Sequence, residues 1–178
     1  MCIQQRMEAK PATAMTVNRR QFFRNFANRR EEIIRPPWSL PESHFIDICS
    51  RCSACVEICP EHIIKRGSGG FPEIDFHRNG CNFCGKCVTV CRDGALRKQP
   101  DQPPWRRAAV VAQSCISLHG VTCRACGDYC NEQAILFKIE SRAVARPIID
   151  ETKCTGCGYC VKPCPVDAVT IKEITEDE

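Results

Sequence analysis

The chain has 178 residues, 17 of them cysteine, and a formal net charge of +4. The 43% apolar fraction counts those cysteines. Aliphatic and aromatic material is therefore too scarce for one large core, and cysteine at this density means disulfides or metal ligation. The longest apolar run, Ala108 to Ala112, falls far short of the roughly 18–20 residues a membrane helix needs, so no span is expected.

Residues 1–35 form a basic head with eight Lys/Arg and three Asp/Glu. From Asn18 to Ile34 the pattern allows a helix, with Phe22, Phe26 and Ile33 on one stripe and Arg20, Arg24 and Arg30 elsewhere. Pro36 ends it, because a proline disfavours helix at the residue before it. Asn18 to Phe23 looks like a twin-arginine export signal. Such a signal needs an apolar segment of roughly 7–15 residues next, and here the charged stretch Arg24 to Glu32 follows. Export is not expected. The head reads as an ordinary charged helix or as a contact surface carried by Arg19, Arg20, Arg24, Arg29 and Arg30. With the acidic end Glu173 to Glu178, it suggests protein contacts rather than nucleic acid.

An internal repeat dominates the rest. Its cysteine groups are Cys49/Cys52/Cys55/Cys59, Cys81/Cys84/Cys87/Cys91, Cys115/Cys123/Cys126/Cys130 and Cys154/Cys157/Cys160/Cys164, starting 32, 34 and 39 residues apart. Similar runs follow them: Glu61 to Ile64, Asp93 to Leu96, Glu132 to Ile135 and Val166 to Val169. Extended apolar–acidic stretches precede three of them: Phe45 to Asp47, Glu73 to Asp75 and Ile148 to Asp150. The expected unit is strand, cysteine loop, short helical turn, strand. Gly67 to Gly70 and the stretch Ser141 to Pro147 are expected hairpin turns. Gln99 to Pro104 breaks the chain between the second and third groups. The resulting division is a basic extension and linker (1–44), a first two-cluster domain (45–104) and a second (105–178).

Three groups read C-x2-C-x2-C-x3-C. Short spacers wrap three corners of a cubane whose iron wants soft thiolates, and backbone amides point at its sulfurs. In two-cluster ferredoxins the fourth cysteine of such a run ligates the other cluster. Crossed ligation predicts the sets Cys49/Cys52/Cys55/Cys91, Cys59/Cys81/Cys84/Cys87, Cys115/Cys123/Cys126/Cys164 and Cys130/Cys154/Cys157/Cys160. The expected cofactors are four [4Fe–4S] clusters, and without them the chain is expected to be largely unfolded. Structural zinc, which uses separated ligand pairs, fits such compact quartets poorly. The third group has a first spacer of seven residues, so its cluster is expected to be exposed, labile or shifted in potential. Arg92, Arg97 and Lys98 either stabilise a reduced cluster or are solvated charges.

The smaller signals have ordinary readings. His44, His62, His77 and His119 are surface or hydrogen-bonding residues, and Cys2 is a free thiol. Trp38 and Trp105 pack linkers, and Gly67 to Gly70 lacks the Lys-Ser/Thr of a phosphate loop. No nucleophile–base arrangement or flavin fingerprint is found, so an enzyme acting on a small substrate is not expected.

Several segments together resemble the NapF family of ferredoxin-type proteins from periplasmic nitrate reductase systems. They are Arg19-Arg20-Gln21-Phe22-Phe23, Ile34-Arg35-Pro36-Pro37-Trp38-Ser39, Glu42-Ser43-His44-Phe45, Gly67-Ser68-Gly69-Gly70-Phe71-Pro72 and the elongated third group. The resemblance spans roughly residues 18 to 172. It implies an α+β fold of two tandem bacterial-type dicluster ferredoxin domains, four [4Fe–4S] clusters and a cytoplasmic location. It also implies contact with the immature molybdenum-containing catalytic subunit of the reductase, whose cofactor maturation the protein assists before export. The alternative is a permanent electron-transfer subunit of a quinol- or ferredoxin-linked complex. A third reading is a binding chaperone whose clusters are structural.

Overall fold

The computed structural model describes residues 32–139 and 144–174, nearly all within the compact unit Ile33–Glu178. Helix α1 (Glu42–Ile48) and helix α2 (Ala54–Ile58) flank the first cysteine loop. Strands β1 (Ile64–Arg66) and β2 (Pro72–Ile74) form an antiparallel ribbon, Ile64 opposite Ile74, closed by a 3-10 turn at Ser68–Gly70. Helix α3 (Lys86–Thr89) follows the second loop. Strand β3 (Arg107–Val111) leads the second half and pairs antiparallel with the last strand, β6 (Val169–Glu173). Between them lie helix α4 (Ala125–Asp128) and the antiparallel pair β4 (Ile135–Ile139) and β5 (Ala145–Ile149). Two-stranded ribbons are marginal alone, so each must lean on the cysteine loops. In β6 the alternation is clean, with Val169 and Ile171 inward and Thr170 exposed.

One short turn recurs four times and carries the repeat. Three residues after each group's last cysteine, the chain enters the left-handed region: His62 (φ 52°), Gly94 (φ 73°), Gln133 (φ 51°) and Asp167 (φ 49°). Each donates its N–H to the carbonyl of that cysteine, at 3.1, 3.3, 3.1 and 3.4 Å. The next residues, Ile63, Ala95, Ala134 and Ala168, are buried. Their carbonyls accept from Asp75, Leu40, Asp150 and Ala112 at 2.7–3.1 Å. The turn is thus fastened to a neighbouring strand or extended segment each time.

Three expectations change. Phe45 to Asp47 is helical, not extended. Pro41 (φ −50°) sets the entry, Glu42 sits in the first turn, where negative charge is favourable, and Phe45 donates to Pro41 at 2.9 Å. The helical period buries Phe45 completely and leaves Ile46 and Ile48 exposed; a strand would have buried alternate residues. The helix expected over Asn18 to Ile34 lies mostly outside the described residues. At 32–34 the chain is not helical, and the Ile34 carbonyl accepts from Ile74 at 2.8 Å. Finally, the apolar run Ala108 to Ala112 lies largely in β3, a strand the repeat pattern missed. The turn expected near Ser141 falls partly outside the described residues, as do Cys2 and most of the acidic end.

Residues 33–40, expected as linker, serve the first half as β3 serves the second. Ser39 bridges Leu96, Leu40 donates to Ala95 at 3.1 Å, and Trp38 donates to Pro104 at 2.7 Å. Pro36 and Pro37 are fully buried. Arg35 fastens this segment. Its guanidinium binds both Glu42 carboxylate oxygens (2.7 Å at the shortest), donates to the Pro72 carbonyl at 3.2 Å, and lies 5.2 and 5.4 Å from the Phe45 and Phe71 ring centres. That bidentate hydrogen bond holds the Glu42 carboxyl below its usual range.

Phe45→Ala is expected to cost about 3–5 kcal/mol of stability. Ile46→Ala, one residue along the same helix but exposed, should cost less than about 0.5 kcal/mol. Denaturant unfolding of the two iron-loaded variants checks the pair, and equal losses would contradict the helical assignment.

Candidate metal centres

All sixteen repeat cysteines are free thiols, and the fold gathers them into four sets of four. Cys49, Cys52, Cys55 and Cys91 line one cavity, with an empty volume of about 370 Å³. Cys59, Cys81, Cys84 and Cys87 line a second of about 340 Å³. Cys130, Cys154, Cys157 and Cys160 line a third of about 320 Å³. The remaining four also meet, since Cys126 lies within electrostatic reach of Cys115, Cys123 and Cys164. In every set three thiols come from one loop and the fourth from the paired group.

Backbone geometry explains how a seven-residue loop turns three thiols inward. In the first, second and fourth groups the residue before the middle cysteine and the residue after it are both left-handed. They are Arg51 and Ser53, Phe83 and Gly85, Gly156 and Gly158, with φ between 60° and 80° except for Phe83 at 52°. Single left-handed residues alternating with ordinary ones point successive N–H groups into one concavity, which suits an anion. Non-glycine residues there cost roughly 1–2 kcal/mol each, so Arg51, Ser53 and Phe83 are held by their surroundings.

The thiols also receive amide hydrogen bonds. Leu96, Ala134 and Ala168 donate to Cys91, Cys130 and Cys164 at 3.3, 3.3 and 3.2 Å. These donors sit just past the recurrent left-handed turn. Phe83 donates to Cys81 and Ala109 to Cys154, both at 3.4 Å. In the first loop the Ser50 hydroxyl also binds the Asp93 carboxylate, tying that loop to the turn after Cys91.

The third loop differs. Its seven-residue spacer folds as a 3-10 turn, Ile116–His119, and returns through left-handed Gly120 (φ 87°). The Ser117 hydroxyl, buried, donates to the Cys123 carbonyl at 3.0 Å. Cys115 itself is buried, and among the described residues the exposed cysteines are Cys52 and Cys84. The greater exposure expected for the Cys115 group is therefore not seen at its first cysteine. Lys98 is engaged as well, 4.5 Å over the Trp38 ring.

The electrostatics match a cationic occupant. Burial first, and then mutual repulsion among neighbouring thiolates, pushes Cys55 and Cys160 up to about 12 and Cys126 to about 11. Burial likewise raises Cys81 to about 12 and Cys87 to about 11, despite backbone amides that favour the thiolate. Four such sulfurs ionise together only around positive charge, and the binding energy then becomes folding energy. Among the described residues no three Cys, His, Asp or Glu side chains converge on a single-ion site. The donor set and the amide-lined loops fit an iron–sulfur cubane. The candidate arginines 19, 20, 24, 29 and 30 lie outside the described residues.

The 4Fe-4S dicluster domain family matches residues 48–118 and the 4Fe-4S binding domain family matches residues 147–170. Ferredoxin-type protein NapF of Escherichia coli K12 is 37% identical over 137 residues, covering 77% of this chain and 83% of that protein. NapF of Haemophilus influenzae is 39% identical over 150 residues, covering 82% of each. The methylamine utilization ferredoxin-type protein MauM of Methylorubrum extorquens is 31% identical over 163 residues, covering 81% and 73%. The paired cysteine loops, the short α+β elements and these similarities together mean that the chain belongs to the NapF family of ferredoxin-type proteins, built from 4Fe–4S ferredoxin domains.

Proposed function

We propose that the chain is a non-enzymatic one-electron carrier holding four [4Fe–4S] clusters, one in each thiol tetrad, in two tandem domains meeting near Gln99–Pro104. The observation that carries this reading is the crossing of each fourth cysteine to the partner loop, which makes two interlocked pairs of sites. When bound, such clusters supply reversible one-electron chemistry. The chain's own part is to hold the sulfurs, to aim amide N–H groups at them, and to keep water from the buried thiols.

The family resemblance extends this to a partner. In the cytoplasm the protein binds the immature molybdenum-containing catalytic subunit of a periplasmic nitrate reductase and assists its cofactor maturation before export. The arginines at 19, 20, 24, 29 and 30 are the proposed docking residues, steering an acidic partner by charge complementarity. Arg35 is not among them, because Glu42 and two aromatic rings already hold it. A second reading is a permanent electron-transfer subunit of a quinol- or ferredoxin-linked oxidoreductase complex; the similarity to MauM, a ferredoxin-type protein named for methylamine utilization, is compatible with a system other than nitrate reduction.

Anaerobically purified protein should contain about sixteen irons per chain, and reductive titration followed by paramagnetic resonance should show more than one cluster signal. A count near one metal per tetrad would point to zinc. Gly156→Val tests a single tetrad. Any Cβ there meets the Arg107 carbonyl oxygen at 2.5 Å and imposes a side chain at φ +67°. Iron should fall by about a quarter, the share of one cubane in four. For the partner, capture of the precursor subunit should drop sharply when residues 1–31 are removed, a cut that spares Arg35. Capture of the exported, mature enzyme at one-to-one ratio would favour the second reading.

A further inference from the structure

The two halves touch through two cysteine loops in particular. The Cys81 N–H donates to the Cys157 carbonyl at 2.7 Å. Both residues belong to thiol tetrads, one in each half. Such an approach requires the absence of side chains on both sides. Gly80, just before Cys81, is buried, and a Cβ there would lie 2.7 Å from the Tyr159 backbone nitrogen. A Cβ on Gly158 would lie 2.1 Å from the Phe76 ring.

A second bridge runs beside the first. Phe83, between Cys81 and Cys84, packs edge-on against Trp105, with ring centres 5.5 Å apart. Trp105 donates its indole N–H to the Thr155 carbonyl, between Cys154 and Cys157, at 3.0 Å. Phe76 and Trp38 extend the aromatic cluster, at 6.1 Å from Trp105 and 6.4 Å from Phe83. Glu61, just after Cys59, accepts from Asn79 at 2.6 Å and Asn82 at 3.0 Å and binds the Tyr159 side chain. Apolar rings and a satisfied polar network thus surround the contact.

Within each half the other tetrad adjoins the one at the seam. Cys55 of the first tetrad feels the charge of Cys87 in the second, and Cys160 of the fourth feels that of Cys126 in the third.

We infer that the Cys81–Cys157 contact is the electron junction between the halves, so that the four sites stand in series: the Cys49 tetrad, the Cys81 tetrad, the Cys154 tetrad and, at the far end, the Cys115 tetrad. This order differs from the order along the chain. It rests on the four-cluster reading above. In the step across the seam, the cluster held by Cys59, Cys81, Cys84 and Cys87 is oxidised by one electron. The cluster held by Cys130, Cys154, Cys157 and Cys160 is reduced by one, and no bond or proton moves. The reverse step is equally balanced. Trp105 is a positioning residue for the junction, holding the second and fourth loops together.

The test uses full-length, iron-loaded protein in anaerobic solution. Its readouts are the magnetic interaction between reduced centres of the two halves and the rate at which one pulsed electron equilibrates between them. Gly80→Val and Trp105→Ala keep every thiol and, unlike Gly156→Val, alter no residue inside a cysteine loop, so their iron content should equal that of the unaltered chain. Both should lose inter-half coupling and equilibrate more slowly, while the interaction within each half persists. Among chains lacking one site, those without the Cys81 or Cys154 tetrad (Cys87→Ala, Cys160→Ala) should lose the coupling. Those without an end site (Cys55→Ala, Cys126→Ala) should keep it. Coupling that survives loss of a middle site, or that is unchanged in iron-replete Gly80→Val, overturns the order. A low iron count in the unaltered chain overturns the four-cluster reading instead.

Discussion

Four sulfurs crowded out of water cannot all be thiolates unless positive charge sits among them, and the rest of this molecule is arranged around that constraint. Burial and mutual repulsion raise the thiols far above their ordinary range, so the sulfurs ionise together only around positive charge. The protein's answer is local and repeated. Left-handed residues aim amides inward, and a turn after each fourth cysteine presents one more N–H to its sulfur in three of the four groups. The aliphatic core is correspondingly thin. Ile63, Ala95, Ala134 and Ala168 are buried at the same repeat position; three of the four are alanine, and Ile63, Ala95 and Ala134 each line a thiol cavity. The cubanes complete a core that side chains alone do not fill.

Much of this was legible because it is short-range. The cysteine spacing displays the loops, and the repeat displays the runs that became the recurrent turn. Crossed pairing was an expectation from two-cluster ferredoxins, in which the fourth cysteine of such a run serves the other cluster. Legibility ended where long-range contact decides. Phe45 to Asp47 matches two true strand stretches in composition, yet tertiary burial of Phe45 at helical period overrides that pattern. Residues 33–40 carry prolines and no alternation, and only their bonds to Ala95, Leu96 and Pro104 reveal a structural segment. The left-handed conformations of Arg51, Ser53 and Phe83 carry no local signal, since glycine is absent there. Gly156 and Gly158, at the same positions of the fourth loop, were the clue that could have been carried across the repeat.

The seam between the halves belongs to the same class of long-range fact. Nothing near Cys81 or Cys157 in sequence announces that their backbones meet. Gly80 and Gly158 are individually unremarkable. Trp105 follows a proline pair and invites the reading of a packed linker, which is correct but incomplete: its indole N–H reaches a cysteine loop of the second half while its ring packs on a loop of the first. Arg35 is a similar case. Counted with the head, it adds to a basic cluster; in the fold it is spent on Glu42, Pro72 and two rings. Arg35 is therefore not part of the basic surface proposed to meet a partner.

The elongated third loop can now be understood as a packing solution. A loop with a long spacer might be supposed to dangle, and that supposition motivates the expectation of exposure. Instead the extra residues form a turn that buries Ser117 and spends its hydroxyl on the Cys123 carbonyl. That bond replaces the fixed geometry the left-handed pair supplies in the other loops. Cys115 ends up buried while Cys52 and Cys84, in loops of regular spacing, face water. Spacer length therefore does not set the exposure of the first cysteine. The third site is thus built on different backbone geometry from its three counterparts.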